Sequence, residues 1–380
     1  MGKKTKITEL DYLRAFAFLA VVLQHAIGHY AYYGARLEDG VLLGSLLLLA
    51  KFAVPMFIFI TGMVLFYNYR DGVRFAPFIR KRFKDILLPY LPWAVLYACI
   101  QASPWQDWTQ FGLHLATGTA SYHLWYIIMI FQFYLVFPLI RPAMLWLDGK
   151  LGGSGRRLAA GLAAIGILYV LWTGQMGTVS SWFAELSIPV LTGYFGEYSD
   201  RNALYFFFYF VLGAAAGLHV ERFRAALLRW QCTVLVCFGV LSAWMLYRIV
   251  AHFTVTPELV IHYNDTLLIR PAMAVVLISS VLAMYVIAIR FGQKASPFWQ
   301  RLMTRIGSYS YTAYLAHALM LTYATRLADG LLPFGNATLR TVLAFAICAA
   351  LSVAAAMLLR RIAVWLKPLR SSGKGPERAG

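Results

Sequence analysis

Residues 10–29, Leu-Asp-Tyr-Leu-Arg-Ala-Phe-Ala-Phe-Leu-Ala-Val-Val-Leu-Gln-His-Ala-Ile-Gly-His, form an apolar run interrupted by Asp11, Arg14, His25 and His29. About 20 apolar residues in helical form cross the hydrocarbon core of a bilayer. Only helices and closed barrels satisfy their backbone groups there. The run is continuous, without the short alternating segments of barrel strands, so it predicts a membrane helix. Lys3, Lys4 and Lys6 precede it as in a secretion signal. It is too long for a signal's apolar segment, carries charges, and has no small-residue cleavage site after it. It is expected to be a retained first span.

The rest of the chain follows suit. Of 380 residues, 61% are hydrophobic and 13% charged, with a mean hydropathy of +0.65. Soluble domains carry about 25% charged residues, so a soluble protein is excluded. Ten candidate spans appear, at about 11–33, 41–67, 84–102, 123–146, 157–174, 203–219, 231–251, 267–289, 306–326 and 339–366. The expected fold is all-α, a polytopic membrane helix bundle of about ten transmembrane helices. Residues 1–368 read as one domain and 369–380 as a disordered tail. Cys99, Cys232, Cys237 and Cys348 lie in apolar blocks without metal-type spacing, so packed thiols are expected, with no disulfide framework and no metal site.

The net charge of +18 forms no continuous stripe, so no nucleic-acid partner is expected. The basic residues sit between apolar blocks, where they set orientation. Alternate loops and the two termini hold 26 Lys and Arg on one side and 4 on the other. Both termini are therefore expected in the cytoplasm of a multi-pass protein of the plasma or inner membrane. On the opposite side, the loop 175–202 carries Glu185, Glu197 and Asp200 among Trp182, Tyr194, Phe195 and Tyr198. It reads either as a sugar-contacting loop or as an interfacial aromatic belt. No internal repeat of the transporter kind is evident.

Ionisable residues within spans are costly and point to function. Arg14 and His25 are eleven residues apart, so they share a helix face about 16 Å apart along the axis. Asp11 and His29 fall close to the same stripe. An imidazole deep in the bilayer can serve as a general base, with a cation below it as an anchor for an anionic donor. The plainer reading is a packed histidine bonded to a neighbouring helix. Arg80, Lys81, Arg82 and Lys84 form either an ordinary basic loop or, beside Arg14, a phosphate pocket. His123 and Trp125 open the fourth block. Tyr314 and His317 share a face of the ninth, as a core pair or as a cavity wall. Lys51 lies mid-way along the second block and reads as a cavity residue, with Asp11 as one candidate partner. Gly213-Ala-Ala-Ala-Gly217 reads as a packing face, within one chain or between two.

Together these stretches resemble the membrane-bound acyltransferase family 3, integral-membrane O-acyltransferases that modify surface polysaccharides and related acceptors. Leu10 to Ala17 with His25 is similar to the family's Arg-x10-His signature. Val54-Pro55-Met56-Phe57-Ile58-Phe59-Ile60-Thr61-Gly62 is similar to its second-span motif, with Thr61 where serine is usual. Arg82-Phe83-Lys84-Asp85-Ile86-Leu87-Leu88-Pro89-Tyr90 resembles its basic third-helix motif, although Asp85 stands where an Arg-x-x-Arg pair would have its second arginine. Shifting the frame gives Lys81 and Lys84. His123-Leu124-Trp125-Tyr126 and Tyr314-Leu315-Ala316-His317 match two further patterns.

The resemblance implies acyl-CoA, by default acetyl-CoA, as a cytoplasmic co-substrate, with no tightly bound cofactor. It implies transfer to a hydroxyl of a polysaccharide, a lipid-linked glycan, a teichoic acid or a small glycoside. His25 would be the catalytic base, and Arg14 with Arg80, Lys81, Arg82 and Lys84 would hold the CoA phosphates. Asp11, His29, Lys51, His123, Trp125, Tyr314 and His317 would line the substrate cavity. The other partners expected are membrane lipids. A proton-coupled transporter or flippase would also place His and Arg inside helices, but would need no CoA. A structural or sensory module would tolerate loss of His25.

Overall fold

The computed structural model describes residues 5–31, 36–101, 108–254 and 260–365. The expected tail at 369–380, and Lys3, Lys4, Lys367, Arg370, Lys374 and Arg378 of the charge count, lie outside the described residues. Those described are all-α, with one isolated bridge between Thr254 and Val260 and no strand. In chain order the helices are α1 (Glu9–Tyr30), α2 (Leu37–Ala50), α3 (Ala53–Asn68) and α4 (Phe75–Arg82). A π-helical turn (Phe83–Leu87) leads to α5 (Leu88–Gln101), α6 (Trp108–Thr117), α7 (Trp125–Leu151), α8 (Gly155–Gly174), α9 (Met176–Leu186) and α10 (Pro189–Phe195). Then come α11 (Phe207–Leu218), α12 (Val220–Arg229), α13 (Gln231–Ala251), α14 (Pro271–Lys294), α15 (Pro297–Leu331) and α16 (Ala337–Trp365).

Eight helical stretches among the described residues are long and apolar enough to cross a bilayer, with α2 and α3 taken as one. Two of the ten expected blocks fall outside that set. The block at 203–219 is α11, whose 12 residues cover only about 18 Å at 1.5 Å per residue. The block at 306–326 lies inside α15, which is 35 residues long but diluted by Ser, Tyr, Thr and His. The block at 41–67 is a broken helix. Its two halves meet at Lys51 and Phe52, where Gln24 of α1 donates to the freed Ala50 carbonyl at 2.9 Å.

The interior is built around α1 and α3, and small residues set the closest approaches. A methyl group at Gly213 or Gly217 of α11 would run into the backbone carbonyls of Phe59 or Met63 in α3. Gly62 of α3 abuts the Phe210 carbonyl in return. The Gly213–Gly217 face therefore packs within the chain, where backbone contact replaces the hydrophobic drive that lipid abolishes. Arg224 of α12 pairs with Glu9 at 3.2 Å and ties the start of α1 to its neighbour. Arg141 of α7 donates to the two carbonyls just past the end of α3, at Tyr69 (2.8 Å) and Arg70, a cation at a helix C-terminus.

Around this interior, α8, α13 and α16 expose apolar side chains such as Ile167, Val236 and Leu358, the surface that lipid covers. Cys348 is buried, but Cys99, Cys232 and Cys237 are exposed, against the expectation of packed thiols. An apolar block does not reveal which face of its helix meets lipid. The aromatic loop is folded. α9 and α10 close on each other through a Phe183–Phe195 stack at 4.4 Å, and Tyr194 donates to Gln132 of α7 at 2.6 Å.

Candidate active site

Two arginines mark the basic end of a cavity of about 370 Å³. Arg14 reaches it from the first half of α1. It is held by Asp11 at 3.1 Å, and Lys6 meets the other oxygen of that carboxylate at 2.5 Å. Arg82 comes from the last turn of α4, immediately before the π turn. Its guanidinium lies 5.1 Å from the rings of both Phe78 and Tyr134 and 5.9 Å from Tyr69. Cation–π contact of this kind orients a guanidinium while leaving its N–H groups for another partner. Arg82 Nε makes no hydrogen bond among the described residues.

The walls are mostly aromatic and aliphatic. Phe57, Thr61 and Val64 come from α3, Tyr126, Ile130 and Tyr134 from α7, and Ser310, Tyr311 and Tyr314 from α15. Tyr311 donates to the Ile86 carbonyl at 2.5 Å, inside the π turn that re-aims this segment. Such turns are short, strained departures from the helix, often found at functional sites.

Tyr314 is the link to a second group. Its hydroxyl donates to the carbonyl of His123, and beyond it three histidine rings from separate elements come together. His317 lies 4.6 Å from His123 and 5.2 Å from His25, centroid to centroid, the latter pair stacked. Tyr122 closes on the other side of His25 at 4.6 Å. His123 Nδ1 pairs with Ser121 Oγ at 3.1 Å. His317 Nδ1 bonds the Tyr314 carbonyl one turn back. His25 is half-buried, while His123 and His317 are buried. Among the described residues no three His, Cys, Asp or Glu side chains are arranged to hold a metal ion.

Of the residues singled out from sequence, Arg14, Arg82 and Tyr314 line the cavity, and His25, His123 and His317 form the cluster behind Tyr314 without lining it. The others sit elsewhere. Arg80, Lys81 and Lys84 are exposed, because only one side of the α4–π segment faces inward. Asp11 is buried and positions Arg14 without lining the cavity. Its partners are Lys6 and Arg14, so the pairing with Lys51 does not occur. Lys51 is half-buried at the α2–α3 break and outside the cavity. His29 is exposed, edge-on to Tyr30 at 4.8 Å. Trp125 turns away to pack on Phe206, and its neighbour Tyr126 takes the place on the cavity wall.

Tyr97, Tyr122, Tyr126, Tyr134 and Tyr311 were not anticipated. Two signals were available. Tyr311, Tyr314 and His317 are spaced by three, and Tyr126 and Tyr134 by eight, each set falling on one face of a helix.

The acyltransferase-domain family model matches residues 7–361, so it takes in the Arg14–Arg82 cavity and all three histidines. A Bacillus subtilis (strain 168) protein, YfiQ, named provisionally as a membrane-bound acyltransferase, is 23% identical over 372 residues, covering 91% of this chain and 89% of its own length. No solved structure matches. With the family match running nearly end to end over an all-helical membrane bundle, this chain belongs to the membrane-bound acyltransferase family 3.

Proposed function

We propose that this membrane acyltransferase moves an acyl group, by default acetyl, from acyl-CoA at the basic end to a hydroxyl of a surface polysaccharide, lipid-linked glycan or similar acceptor. In this reading residues 1–368 form one catalytic domain of about ten spans in the plasma or inner membrane, with both termini in the cytoplasm. The observation that supports it is the aromatic cavity lined by Arg14, Arg82 and Tyr314, with Tyr314 bonded to the His123 carbonyl beside the histidine cluster.

The donor's phosphates stay at the basic end, since burying several anionic charges without partners would be prohibitive. Arg14 and Arg82 meet them from inside the cavity, while Arg80, Lys81 and Lys84 add long-range attraction from the surface. The narrow pantetheine arm follows the cavity and brings the thioester towards His25. His25 takes the proton of the acceptor hydroxyl as its oxygen attacks the thioester carbonyl. The C–S bond then breaks, and the departing CoA thiolate recovers the proton from His25. The acyl group crosses the membrane while CoA does not. A positioned base of this kind contributes on the order of 10²–10⁴-fold in rate.

Mass spectrometry of surface glycans from cells carrying the wild-type protein or His25→Ala tests the reading. The expected result is an acyl-sized mass increment with wild type only, at equal protein levels. Undiminished acylation with His25→Ala refutes the assignment of the base. Failure of the purified wild-type protein to bind acetyl-CoA refutes the donor.

A further inference from the structure

The ring proton of His317 is accounted for. Its Nδ1 bonds the Tyr314 carbonyl, and a carbonyl oxygen can only accept, so Nδ1 carries the hydrogen. In the neutral ring Nε2 is then a bare lone pair. It is fully buried and has no partner among the described residues. A buried lone pair without a donor costs roughly as much as a lost hydrogen bond, so its retention calls for an explanation.

The surroundings hold that orientation. The Tyr97 hydroxyl of α5 stands between two α15 backbone groups four residues apart, donating to the Leu315 carbonyl at 2.8 Å and accepting from the Leu319 amide at 3.1 Å. Cys348 Sγ of α16 donates to the carbonyl of His317 itself at 3.4 Å. The turn carrying the imidazole is thus clamped from two sides. The ring is stacked on His25 at 5.2 Å and lies roughly perpendicular to that of His123 at 4.6 Å. Whatever meets the Nε2 lone pair must bring a proton.

Building on the acyl-transfer reading, we propose that His317 is a specificity-determining residue whose Nε2 accepts a hydrogen bond from a second donor on the acceptor, adjacent to the hydroxyl that His25 deprotonates. The preferred acceptors are therefore molecules with neighbouring donors, such as vicinal diols or hydroxyls flanked by an amide N–H. His317 stays neutral throughout. It orients the acceptor and takes no part in proton transfer, and Tyr97 is its positioning residue.

The test separates this binding role from the chemistry by using water as the competing acceptor. Purified protein is given radiolabelled acetyl-CoA, with and without washed membranes from cells lacking the protein as the acceptor source. Slow hydrolysis of acetyl-CoA needs only His25, whereas transfer to membrane acceptors needs both histidines. For His317→Phe the expected result is transfer lowered far more than hydrolysis, with acceptor KM raised on the order of tenfold or more. His317→Gln, which offers an acceptor oxygen at the corresponding position, should recover part of the transfer. His25→Ala should lose both activities.

Wild-type transfer by His317→Phe overturns the proposal. Loss of hydrolysis together with transfer overturns it too, because His317 would then belong to the chemistry or to the fold. A wild-type protein that acylates nothing in these membranes overturns the acyl-transfer reading itself. Independently, ¹⁵N NMR of ring-labelled histidine should assign to His317 a protonated Nδ1 and an unprotonated Nε2. A proton on Nε2 refutes the proposal whatever the kinetics.

Discussion

Gly307 of α15 lies against the backbone carbonyl of Asp11 in α1, closer than any Cβ could be accommodated. This contact sets the spacing of the two helices that carry Arg14 and His25 on one side and Tyr314 and His317 on the other. Gly307 also lines the cavity beside Arg14. The obstacle to a side chain here is backbone, which cannot swing aside.

Gly307→Ala is therefore expected to force the two helices apart. Overpacking of this kind costs about 1–3 kcal/mol. A lowered thermal midpoint in detergent and weaker acetyl-CoA binding should appear together. Gly330→Ala, in open space on the same helix, is the control and should leave both unchanged.

The two arginines should be separable from the surface lysines. Arg82→Ala removes a cation from the cavity wall and should weaken acetyl-CoA binding on the order of tenfold or more, the loss of a charge-assisted contact. Lys81→Ala and Lys84→Ala remove exposed charges, each with a much smaller effect that fades at high salt. Titration calorimetry at two salt concentrations distinguishes the cases. Equal losses at all three positions contradict the geometry.

Asp11 acts through Arg14. Asp11→Asn keeps the volume but gives up the charge that holds Arg14 at 3.1 Å and Lys6 at 2.5 Å. The guanidinium then loses its anchor, and a KM increase for acetyl-CoA is expected with little change in kcat. A kcat loss at unchanged KM would place Asp11 in the chemistry instead.

Tyr97→Phe deletes one hydroxyl that serves both the Leu315 carbonyl and the Leu319 amide. The two groups can pair with each other in an ordinary helical bond, so the loss of stability should be small, within about 0.5–1.5 kcal/mol. The turn bearing His317 should shift, and acceptor KM should rise while acetyl-CoA binding stays constant. Unaltered acceptor kinetics would mean the clamp is dispensable.

Much of this arrangement was legible beforehand. Hydropathy alone marks eight of the ten expected blocks as helices long and apolar enough to cross, because a span must bury its backbone and has a fixed length. Arg14 and His25 declare a common face by their eleven-residue spacing; Arg14 lines the cavity and His25 joins the histidine cluster. His317 and Tyr314 follow from the three-residue step. What resisted reading was helix phase where the helix is irregular. Arg82 alone among its basic neighbours enters the cavity, since the α4–π segment runs along the surface and turns one side inward. Tyr126 takes the place on the cavity wall expected of Trp125 for the same kind of reason, one residue being a 100° rotation. The break at Lys51 is hidden because Ala50, Phe52 and Ala53 are as apolar as any span interior. It becomes visible only when the Gln24 amide is found on the Ala50 carbonyl.

The π turn at Phe83–Leu87 affects how sequences of this kind can be compared. One extra residue per turn shifts the register of everything after it, so a motif counted from Arg82 on α-helical spacing points to the wrong side of the segment by Asp85. Relatives that insert or delete a single residue there could keep every wall of the cavity while appearing to lose the motif. An alignment across this stretch is better anchored on the Tyr311–Tyr314–His317 series of α15, which lies in continuous α-helix, than on the charges that first attract the eye.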